Sequence, residues 1–483
     1  MKWSDRQLAI FDAYENTRKN IAIEATAGSS KTTCIVECCR RTPPNKKVLF
    51  MAFNKSIAEE LRERLPSHID VNTFHSKGLR VLLSNFRIKP KINENKCFVI
   101  GKKILDTKDM DVKQQIRYLF EIQIIWNYIR VNLITDYEKE IPGICIEKNI
   151  EFQERMVGDM EQIRNAWHKE MKKINSVKEI NIDFTDMLYF PYQLLDSEDF
   201  PKYDIVTLDE QQDANTLQKE LALRYIKKSG RFVVVGDSRQ CIYGFQGSSL
   251  EVFKSLQFYP NTIVLPLDIT YRCGKNIVEE ARKVFNNGIV AAPNAIDGIV
   301  RKGEFDEAEN GDFVLCRNNL PLATVFLYLL EMGKKATIKG KDYGNALVAL
   351  VDKIRYIEDL DAMCEKKISE LKERGLTDIQ AKNNPSYVSL LEKCTILKML
   401  YKKWGDMKKL EDNIKEIYKD DTEGIVLSTI HKSKGLEADR VFLLNRSLIP
   451  SKYANTEEAL YNEKCLLFVA ITRARKELVY CNV

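Results

Sequence analysis

The sequence lacks several features that would define its class at once. No uninterrupted apolar run reaches the roughly 18 to 20 residues that a membrane-crossing helix requires, and the first twenty residues lack the apolar core of a secretory signal. No C-x-x-C spacing occurs among the 12 cysteines, so nothing favours a zinc or iron–sulfur site. We expect reduced, mostly buried thiols in a cytoplasmic protein (nucleoid-associated, or in the host cytoplasm if viral) without a membrane partner.

Repeats, low-complexity segments and a strong charge of one sign are also missing. The 75 basic and 69 acidic side chains give a net charge of +6, which permits nucleic-acid binding without requiring it. The 483 residues are too many for one ordinary core and indicate several domains. Continuously apolar runs such as "DIVTLD" and "RFVVVGD" alternate with helical patterns, which predicts α/β domains with parallel, helix-covered sheets.

Two long helical regions interrupt this alternation and are predicted to be insertions, at residues 85–182 and 352–420. The second is rich in lysine. Its lysines are open to two interpretations, a grip on the phosphates of duplex DNA or an ordinary solvated helical face.

Glycine is missing where a phosphate-binding loop most often has it. The stretch "AIEATAGSSKTT" follows the pattern G-x-x-x-x-G-K-[ST] except that Ala25 and Ser30 replace the two glycines. An apolar strand precedes it and a helix follows, as that motif requires, and Gly28 leaves the backbone open to a phosphate. Lys31 would then reach the β- and γ-phosphates and Thr32 would bind Mg²⁺. Taken alone, the stretch is equally compatible with a surface turn.

Polar residues follow two further apolar strands. Asp209 and Glu210 come directly after "DIVTL" and suit Mg²⁺ binding and activation of a water molecule, although a solvated turn has the same pattern. In "RFVVVGDSRQCIYGFQG", Gln240 could sense a γ-phosphate, and Tyr243 and Phe245 could stack on nucleobases. The alternative there is a turn followed by core aromatics.

The order of these segments resembles that of the UvrD/Rep/PcrA-type superfamily 1 DNA helicases. "SDRQLAIF", "EATAGSSKTT", "VLFMAFNKSIAEELRERL" and "VNTFHSKGLRVL" are similar to successive amino-terminal motifs of that family. "DFTDML", "LDEQQDANTLQ" and "VVGDSRQCIYGFQG" follow in the family's order. "DITYRCGKNI", "GDFVLCRNN", "IVLSTIHKSKGLEADRVFLLN" and "EEALYNEKCLLFVAITRARKEL" continue it to the end of the chain.

The resemblance implies an α/β P-loop NTPase with two RecA-like parallel-sheet domains and ATP bound with Mg²⁺ in the cleft between them. Residues 1–84 and 183–260 would form the first motor domain, with 85–182 as its accessory insertion. Residues 261–351 and 421–483 would form the second, with 352–420 as a reduced accessory domain in a compact family member.

The resemblance also implies a role for each matching residue. Lys31, Asp209, Glu210 and Gln240 would be catalytic, with Arg272 and Arg473 as arginine fingers and with Thr32 and Asp209 as the metal ligands. The implied nucleotide contacts are Gln7, Ala25, Thr26, Ala27, Gly28, Ser29, Ser30, Lys31, Thr32, Thr33, Tyr271, Gly435 and Glu437. The implied contacts to single-stranded DNA are Phe53, Asn54, Thr73, His75, Tyr243, Phe245, Thr429 and His431.

The activity implied is that of an ATP-dependent helicase moving 3′ to 5′ along single-stranded DNA and binding single/double-strand junctions. A nuclease or a replication or repair protein would be a partner. Two alternatives stay open: an ATP-binding, helicase-like subunit of a repair or antiviral nuclease complex, and an RNA-directed motor.

Four departures from the family pattern concern the details of the site. Ser30 replaces a loop glycine, and Thr33 stands where an arginine usually packs on the adenine. Phe245 replaces a tryptophan and Gln246 an arginine. We expect a working site with altered nucleotide affinity and base selectivity.

Overall fold

The computed structural model of the chain describes residues 3–148, 150–242, 250–286, 288–373, 375–419 and 423–483. The chain divides into two compact units, Met1–Thr26 with Ser30–Asp268, and Ala27–Ser29 with Ile269–Val483. Within the described ranges, no helix is both long enough and apolar enough to cross a membrane.

The first unit is built on a six-stranded parallel sheet. The strands of the whole unit are β1 (Asn20–Ala25), β2 (Val48–Ala52), β3 (Ile69–Thr73), β4 (Lys89–Ile92), β5 (Glu179–Ile182), β6 (Tyr203–Leu208), β7 (Ile226–Gly236) and β8 (Thr262–Leu267). The main sheet has the order β3-β2-β6-β7-β1-β8, and every neighbouring pair is parallel. Because the strands are parallel, the loops after their carboxyl ends all lie along one edge of the sheet.

Helices cover both faces of this sheet. The helices of the unit, including those of its insertion, are α1 (Asp5–Asn16), α2 (Lys31–Arg40), α3 (Lys55–Arg64), α4 (Phe74–Asn85), α5 (Lys96–Ile104), α6 (Val112–Asn132), α7 (Tyr137–Glu147), α8 (Arg155–Lys172), α9 (Asp186–Leu194), α10 (Thr216–Arg224) and α11 (Leu250–Gln257). Leu49 and Met51 of β2 enter one hydrophobic core, while Val48, Phe50 and Ala52 enter the other. Successive side chains of a strand point to opposite faces, so an apolar run without alternation is what a doubly covered strand needs.

The first insertion joins the unit through a short parallel ribbon. Strands β4 and β5 pair with each other at its two ends, and helices α5 to α8 lie between them in sequence. Its apolar side chains, including Trp126 and Trp167, belong to the same buried core as one face of the main sheet. The insertion is therefore continuous with the unit and not a separately folded module.

A buried group of charges fixes this insertion to the start of α9. The Lys96 ammonium lies 2.7 Å from Asp186, and the Arg130 guanidinium lies 2.6 Å from Asp183 and 2.7 Å from Asp186. The indole N–H of Trp167 donates to Asp186 at 2.7 Å. Two cations thus face two carboxylates away from water, which is the arrangement in which buried charges are tolerated.

The second unit contains a seven-stranded parallel sheet. The strands of the whole unit are β9 (Ile269–Thr270), β10 (Val290–Ala291), β11 (Ile299–Lys302), β12 (Phe313–Cys316), β13 (Ala336–Lys339), β14 (Tyr418–Lys419), β15 (Ile425–Thr429), β16 (Ala438–Leu444) and β17 (Ala474–Cys481). The main sheet has the order β11-β17-β16-β12-β15-β13-β14, and β9 pairs with β10. Its helices are α12 (Lys275–Arg282), α13 (Asn319–Glu331), α14 (Lys341–Val351), α15 (Asp359–Glu373), α16 (Asp378–Asn383), α17 (Pro385–Trp404), α18 (Met407–Ile417) and α19 (Glu457–Ile471).

The predicted fold class is confirmed: two parallel, helix-covered sheets are present, one in each unit. The helices α15 to α18 fall within the region expected to be a second helical insertion. All twelve cysteines are buried and unbridged, as the sequence predicts. The proposed domain boundaries stay a prediction.

Candidate functional site

The phosphate-loop segment connects β1 to α2, and Lys31 is the first residue of that helix. Ser30 caps α2 in the left-handed conformation, with φ 63° and ψ 39°, and its side chain makes no capping hydrogen bond. Gly28 also has a positive φ of 70°. The backbone thus requires at Ser30 a conformation that glycine adopts without strain, which explains the glycine of the usual motif.

The two carboxylates after β6 lie beside this helix start. The Thr32 hydroxyl donates to Asp209 at 2.9 Å, and the Lys31 ammonium lies 3.4 Å from Glu210. Glu210 has a left-handed backbone, with φ 50° and ψ 41°. Four of the predicted residues are therefore brought together at one edge of the sheet, and the acidic pair is held by side chains of the loop.

The electrostatics of this pair fit a cation. Burial and the neighbouring Glu210 carboxylate raise the pKa of Asp209 to about 6, while Lys31 and Thr32 act in the opposite direction. A carboxylate in this environment gains from a nearby divalent ion. No group of three or more His, Cys, Asp or Glu side chains suited to a metal occurs among the described residues. The Thr32 hydroxyl and the Asp209 carboxylate are oxygen ligands of the kind that Mg²⁺ takes, and Mg²⁺ completes its shell with waters and substrate phosphates.

The turn after β7 is fixed from two sides. Asp237 accepts hydrogen bonds from Gln240 at 2.7 Å and from the Arg239 guanidinium at 2.9 Å. Arg239 also donates to the Ala25 carbonyl at 2.6 Å, which ties the turn to the end of β1. Gln240, the predicted γ-phosphate contact, is 4% exposed. Its amide is oriented by Asp237.

Gln212 connects this turn to the acidic pair, and sequence reasoning missed it. Its amide nitrogen donates to Glu210 at 2.6 Å, and its carbonyl oxygen accepts from the backbone N–H of Asp237 at 2.9 Å. No simple sequence signal identifies it, because Gln211 beside it is equally polar.

Glu24 was missed as well, although it is the one charged residue in the apolar strand "NIAIEA". It accepts from the Ser238 hydroxyl at 2.6 Å and from the Gln257 amide at 2.5 Å. Burial raises its pKa, and the hydrogen bond from Ser238 opposes that change. The ends of β1 and β7 are therefore joined through side chains.

Two other predicted nucleotide contacts, Gln7 and Thr33, lie on the first two helices of the first unit. Gln7 is buried in α1, and its side-chain oxygen accepts from the Ser4 N–H at 3.0 Å in a capping box. That bond orients the amide predicted to contact adenine. Thr33 lies half-buried in the first turn of α2.

The second unit brings its own predicted residues together. The Arg272 guanidinium pairs with Glu437 and donates to the Thr472 carbonyl at 3.3 Å. Arg473 is 1% exposed and donates to the carbonyls of Leu436 at 2.9 Å and Val469 at 3.0 Å. Gly435, which has a φ of 86°, directly precedes Leu436. Tyr271, the predicted adenine-stacking residue, is 47% exposed.

The predicted DNA contacts of the first unit lie at or just after the carboxyl ends of β2 and β3, at the same edge of the sheet as the phosphate loop. Phe53 is 38% exposed, while Asn54 and Thr73 cap α3 and α4. His75 meets the ring of Phe184 edge-on, with 6.3 Å between centroids. Phe184 is 51% exposed, and sequence reasoning did not single it out from "DFTDML". Tyr243, Phe245 and Gln246 lie outside the described residues.

In the second unit, Thr429 is the last residue of β15 and His431 follows that strand. Burial lowers the pKa of His431 to about 4, and the positive charge of Arg317 acts in the same direction. Arg317 itself is paired with Glu463 at 2.9 Å. His431 is therefore a neutral imidazole at physiological pH, able to donate and accept a hydrogen bond.

Two family models match the chain. Residues 6–258 match the UvrD/REP helicase N-terminal domain, and residues 334–482 match the UvrD-like helicase C-terminal domain. The first match alone covers more than half of the chain and includes the residues around Lys31, Asp209 and Gln240.

Individual proteins are similar at low identity. F-box DNA helicase protein 1 of Schizosaccharomyces pombe is 24% identical over 99% of this chain and 57% of its own length. ATP-dependent DNA helicase Rep of Buchnera aphidicola from Acyrthosiphon pisum is 22% identical over 97% of this chain and 94% of its own. ATP-dependent DNA helicase PcrA of Bacillus subtilis is 26% identical over 57% of this chain and 39% of its own. The chain thus spans nearly all of one relative but little more than half, or less, of the others.

Proposed function

The chain belongs to the UvrD/REP helicase family, and from this premise we propose that it hydrolyses ATP to move along single-stranded DNA and to separate duplex strands. The proposal is carried by two contacts at one edge of the sheet. The Thr32 hydroxyl lies 2.9 Å from Asp209, and the Lys31 ammonium lies 3.4 Å from Glu210. The alternative, a solvated turn, does not account for a buried carboxylate beside a lysine and a hydroxyl.

In this proposal the first unit binds the triphosphate. The N–H groups at the start of α2 and the Lys31 ammonium hold the phosphates. Mg²⁺, when bound through Thr32 and Asp209, neutralises phosphate charge. Glu210 orients the attacking water and accepts its proton, in a position set by Gln212. Gln240 responds to the γ-phosphate, since Asp237 aims its amide.

Arg272 and Arg473 of the second unit would stabilise the charge that develops on the transferred phosphoryl group, as the family resemblance implies. Both now bond to groups of their own unit, Glu437 and backbone carbonyls, so engaging a phosphate requires an exchange of partners. That exchange would make hydrolysis sensitive to conformation. We propose that the two units act as the two motor domains, with residues 85–182 and 352–420 as accessory insertions.

Single-stranded DNA would contact Phe53, Asn54, Thr73 and His75 of the first unit and Thr429 and His431 of the second. Support comes from the exposure of Phe53 and from the position of these loops after parallel strands. Phe184 extends this set, because its exposed ring lies against His75. Aromatic stacking contributes about 1–3 kcal/mol per base and tolerates any sequence, as a translocating protein requires.

The test is strand displacement on duplexes that carry either a 3′ or a 5′ single-stranded tail. We expect ATP-dependent displacement of the 3′-tailed substrate only, and no displacement by a Lys31→Ala variant. Displacement of the 5′-tailed substrate alone would overturn the proposed polarity. DNA-stimulated hydrolysis without displacement, restored by an added nuclease or repair partner, would favour the helicase-like subunit instead.

A further inference from the structure

A groove of about 380 Å³ lies at the amino end of β3, and we name it the β3 groove. Five polar side chains line it: Arg62, Ser67, His68, Asp70 and Arg80. None of them takes part in the proposed binding of ATP or single-stranded DNA. The proposed function therefore leaves the β3 groove without a role.

The order of the chain brings the lining residues together. The helix α3 ends at Arg64, residues 65–68 lead into β3, and Arg80 lies in the second turn of α4. Both helices pack against β3. A strand rises about 3.3 Å per residue, so His68 lies roughly 17 Å from Thr73, the proposed DNA contact at the carboxyl end of β3. The β3 groove is thus separate from the sheet edge that carries the nucleotide and DNA contacts.

Two guanidinium groups of the β3 groove have no carboxylate partner. Arg62 donates to the Val71 carbonyl through Nε at 3.2 Å and through Nη2 at 2.9 Å, which fixes its side chain on the edge strand of the sheet. Neither Nη1 of Arg62 nor any nitrogen of Arg80 has a hydrogen bond or an ion pair with a residue that the structure describes. Guanidinium groups of this kind bind phosphate and carboxylate oxygens strongly.

His68 and Ser67 add neutral donors to the two arginines. Nε2 of His68 is buried, and nothing among the described residues forms a hydrogen bond with it. A buried polar atom without a partner is uncommon in a folded protein, because its lost hydrogen bond to water is not replaced. An anion in the β3 groove would accept from this nitrogen when it carries the proton, and the Ser67 hydroxyl can donate as well.

Among the described residues that line the β3 groove, the one carboxylate is already neutralised. The Lys77 ammonium lies 2.6 Å from Asp70, and the Tyr203 hydroxyl and the Asn72 amide also donate to it. Burial acts to raise the pKa of Asp70, but the hydrogen bonds from Lys77 and Tyr203 outweigh it and hold that pKa below its ordinary value. Lys77 is itself buried, so the two charges balance each other behind the groove. The β3 groove therefore keeps the positive charge of its two arginines.

We propose that the β3 groove binds a phosphate monoester group, either on a free small molecule or on a phosphorylated side chain of a protein. Such a group carries close to two negative charges at neutral pH and three strong acceptor oxygens. These match the two guanidinium groups and the imidazole donor. The phosphates of a nucleic-acid backbone are diesters with a single charge each, and the proposed DNA path lies at the other end of β3.

The test measures binding of two ligands to the full chain by isothermal titration calorimetry. The ligands are inorganic phosphate and an alanine peptide with one central phosphoserine, and the same peptide with serine is the comparison. A non-hydrolysable ATP analogue with Mg²⁺ is present at saturation, so that the proposed nucleotide site is filled.

The variant R62Q/R80Q removes both charges of the β3 groove, and R18Q/R40Q is its matched control. Arg40 donates to the Arg64 carbonyl through Nε at 3.2 Å and through Nη2 at 2.9 Å, as Arg62 does to Val71. Arg18 is exposed and, like Arg80, has no ion pair with a described residue. Thermal unfolding shows whether each variant is folded. If R62Q/R80Q is not, R80Q alone serves, because no bond to a described residue is lost with it.

We expect R62Q/R80Q to bind the phosphopeptide or phosphate at least about tenfold more weakly than the wild type, and R80Q at least about threefold more weakly. The control variant should stay within about twofold of the wild type. Tighter binding of the phosphopeptide than of inorganic phosphate would identify a phosphorylated protein as the source, and equal binding a free small molecule.

Three results would overturn the inference: no binding of either ligand to the wild type up to about 10 mM, equal binding by the wild type and the groove variants, or equal binding of the two peptides. The DNA-stimulated ATP hydrolysis of R62Q/R80Q should stay within about twofold of the wild type. Failure of the proposed function would therefore leave the β3 groove standing, and the reverse also holds.

Discussion

The side-chain amide of Gln212 donates a hydrogen bond to Glu210 at 2.6 Å. The same side chain accepts from the backbone N–H of Asp237 at 2.9 Å, so it joins the proposed catalytic carboxylate to the turn that carries Gln240. Glu210 is held in a left-handed backbone conformation and lies 3.4 Å from Lys31. The position of this carboxylate therefore depends on a residue that does not itself contact the nucleotide in the proposal.

A Gln212→Glu substitution tests this dependence. The new carboxylate can still accept from Asp237, but it cannot donate to Glu210 and it repels that side chain. Loss of a hydrogen bond to a charged group corresponds to about 1.5–3 kcal/mol, so kcat for ATP should fall about tenfold or more. KM for ATP should change less than about threefold, because the phosphate loop is untouched.

The matched control is Gln218→Glu, in which the same substitution is made at a helix-capping position that glutamate also satisfies. It should leave kcat and KM as they are in the wild type. Wild-type kcat in the Gln212→Glu variant would show that Gln212 does not position Glu210.

Replacement of Ser30 by glycine should stabilise the protein. A non-glycine residue in the left-handed region carries a strain of about 1–2 kcal/mol, part of which glycine loses again through its greater freedom in the unfolded chain. We expect Ser30→Gly to raise the free energy of unfolding by up to about 1 kcal/mol and to lower KM for ATP. Urea denaturation and steady-state kinetics measure the two effects.

Ser29→Gly provides the comparison, because Ser29 is fully buried and has no positive φ. Glycine there gains no relief of strain and should destabilise the protein. If Ser29→Gly and Ser30→Gly changed the free energy of unfolding equally, backbone strain at Ser30 would not explain the effect of glycine there.

The buried charges at the first insertion should behave as a coupled group. Asp186→Asn leaves Lys96 with only the half-buried Glu170, 3.5 Å away, and leaves Arg130 with Asp183. Removing one partner from a buried pair corresponds to about 3–5 kcal/mol of destabilisation. Adding Lys96→Met restores charge balance around the remaining Arg130–Asp183 pair. The double variant should therefore be more stable towards urea than Asp186→Asn.

Strict additivity of the two single changes would contradict this account of the charge group. Limited proteolysis offers a second measurement, since the insertion should be cleaved first in Asp186→Asn.

His431 should make folding stability depend on pH. Its pKa is lowered to about 4 in the folded protein, below the ordinary value of about 6.5 in the unfolded chain. The unfolded state therefore binds more protons between these values. The contribution of the neutral His431 side chain to folding stability is fully present above pH 6.5 and is lost as the pH falls towards 4.

Comparing thermal unfolding at pH 5 and pH 7 tests this expectation. His431→Gln should lose less stability on acidification than the wild type, by about 1–3 kcal/mol. The same change at His68 is the control for a general effect of removing an imidazole. An unchanged pH response in His431→Gln would contradict the buried, neutral imidazole.

Much of the fold follows from the sequence because its signals are local. Runs such as "RFVVVGD" are apolar on both faces, and β7 sends Val234 into one core and Val233 into the other. Parallel strands in turn predict that Lys31 and Asp209, far apart in sequence, lie along one edge, and the Thr32–Asp209 contact has that geometry.

The parts that sequence did not predict depend on tertiary contacts. Charged residues usually lie on surfaces, so nothing in the sequence indicates that Lys96 meets Asp186, 90 positions later, in a buried pair. The sequence also does not indicate the left-handed conformation of Ser30, because serine rarely adopts it. Gln212 owes its position to the approach of β7 to β6, which no local pattern encodes.

The most direct test of the central claim is the rate of ATP hydrolysis with and without single-stranded DNA, measured for the wild type and for Glu210→Gln. We expect DNA to stimulate the wild-type rate at least about tenfold and the variant to lose at least about 100-fold in kcat while still binding ATP. A correctly folded wild-type protein that hydrolyses no ATP in the presence of any DNA or RNA would contradict the account.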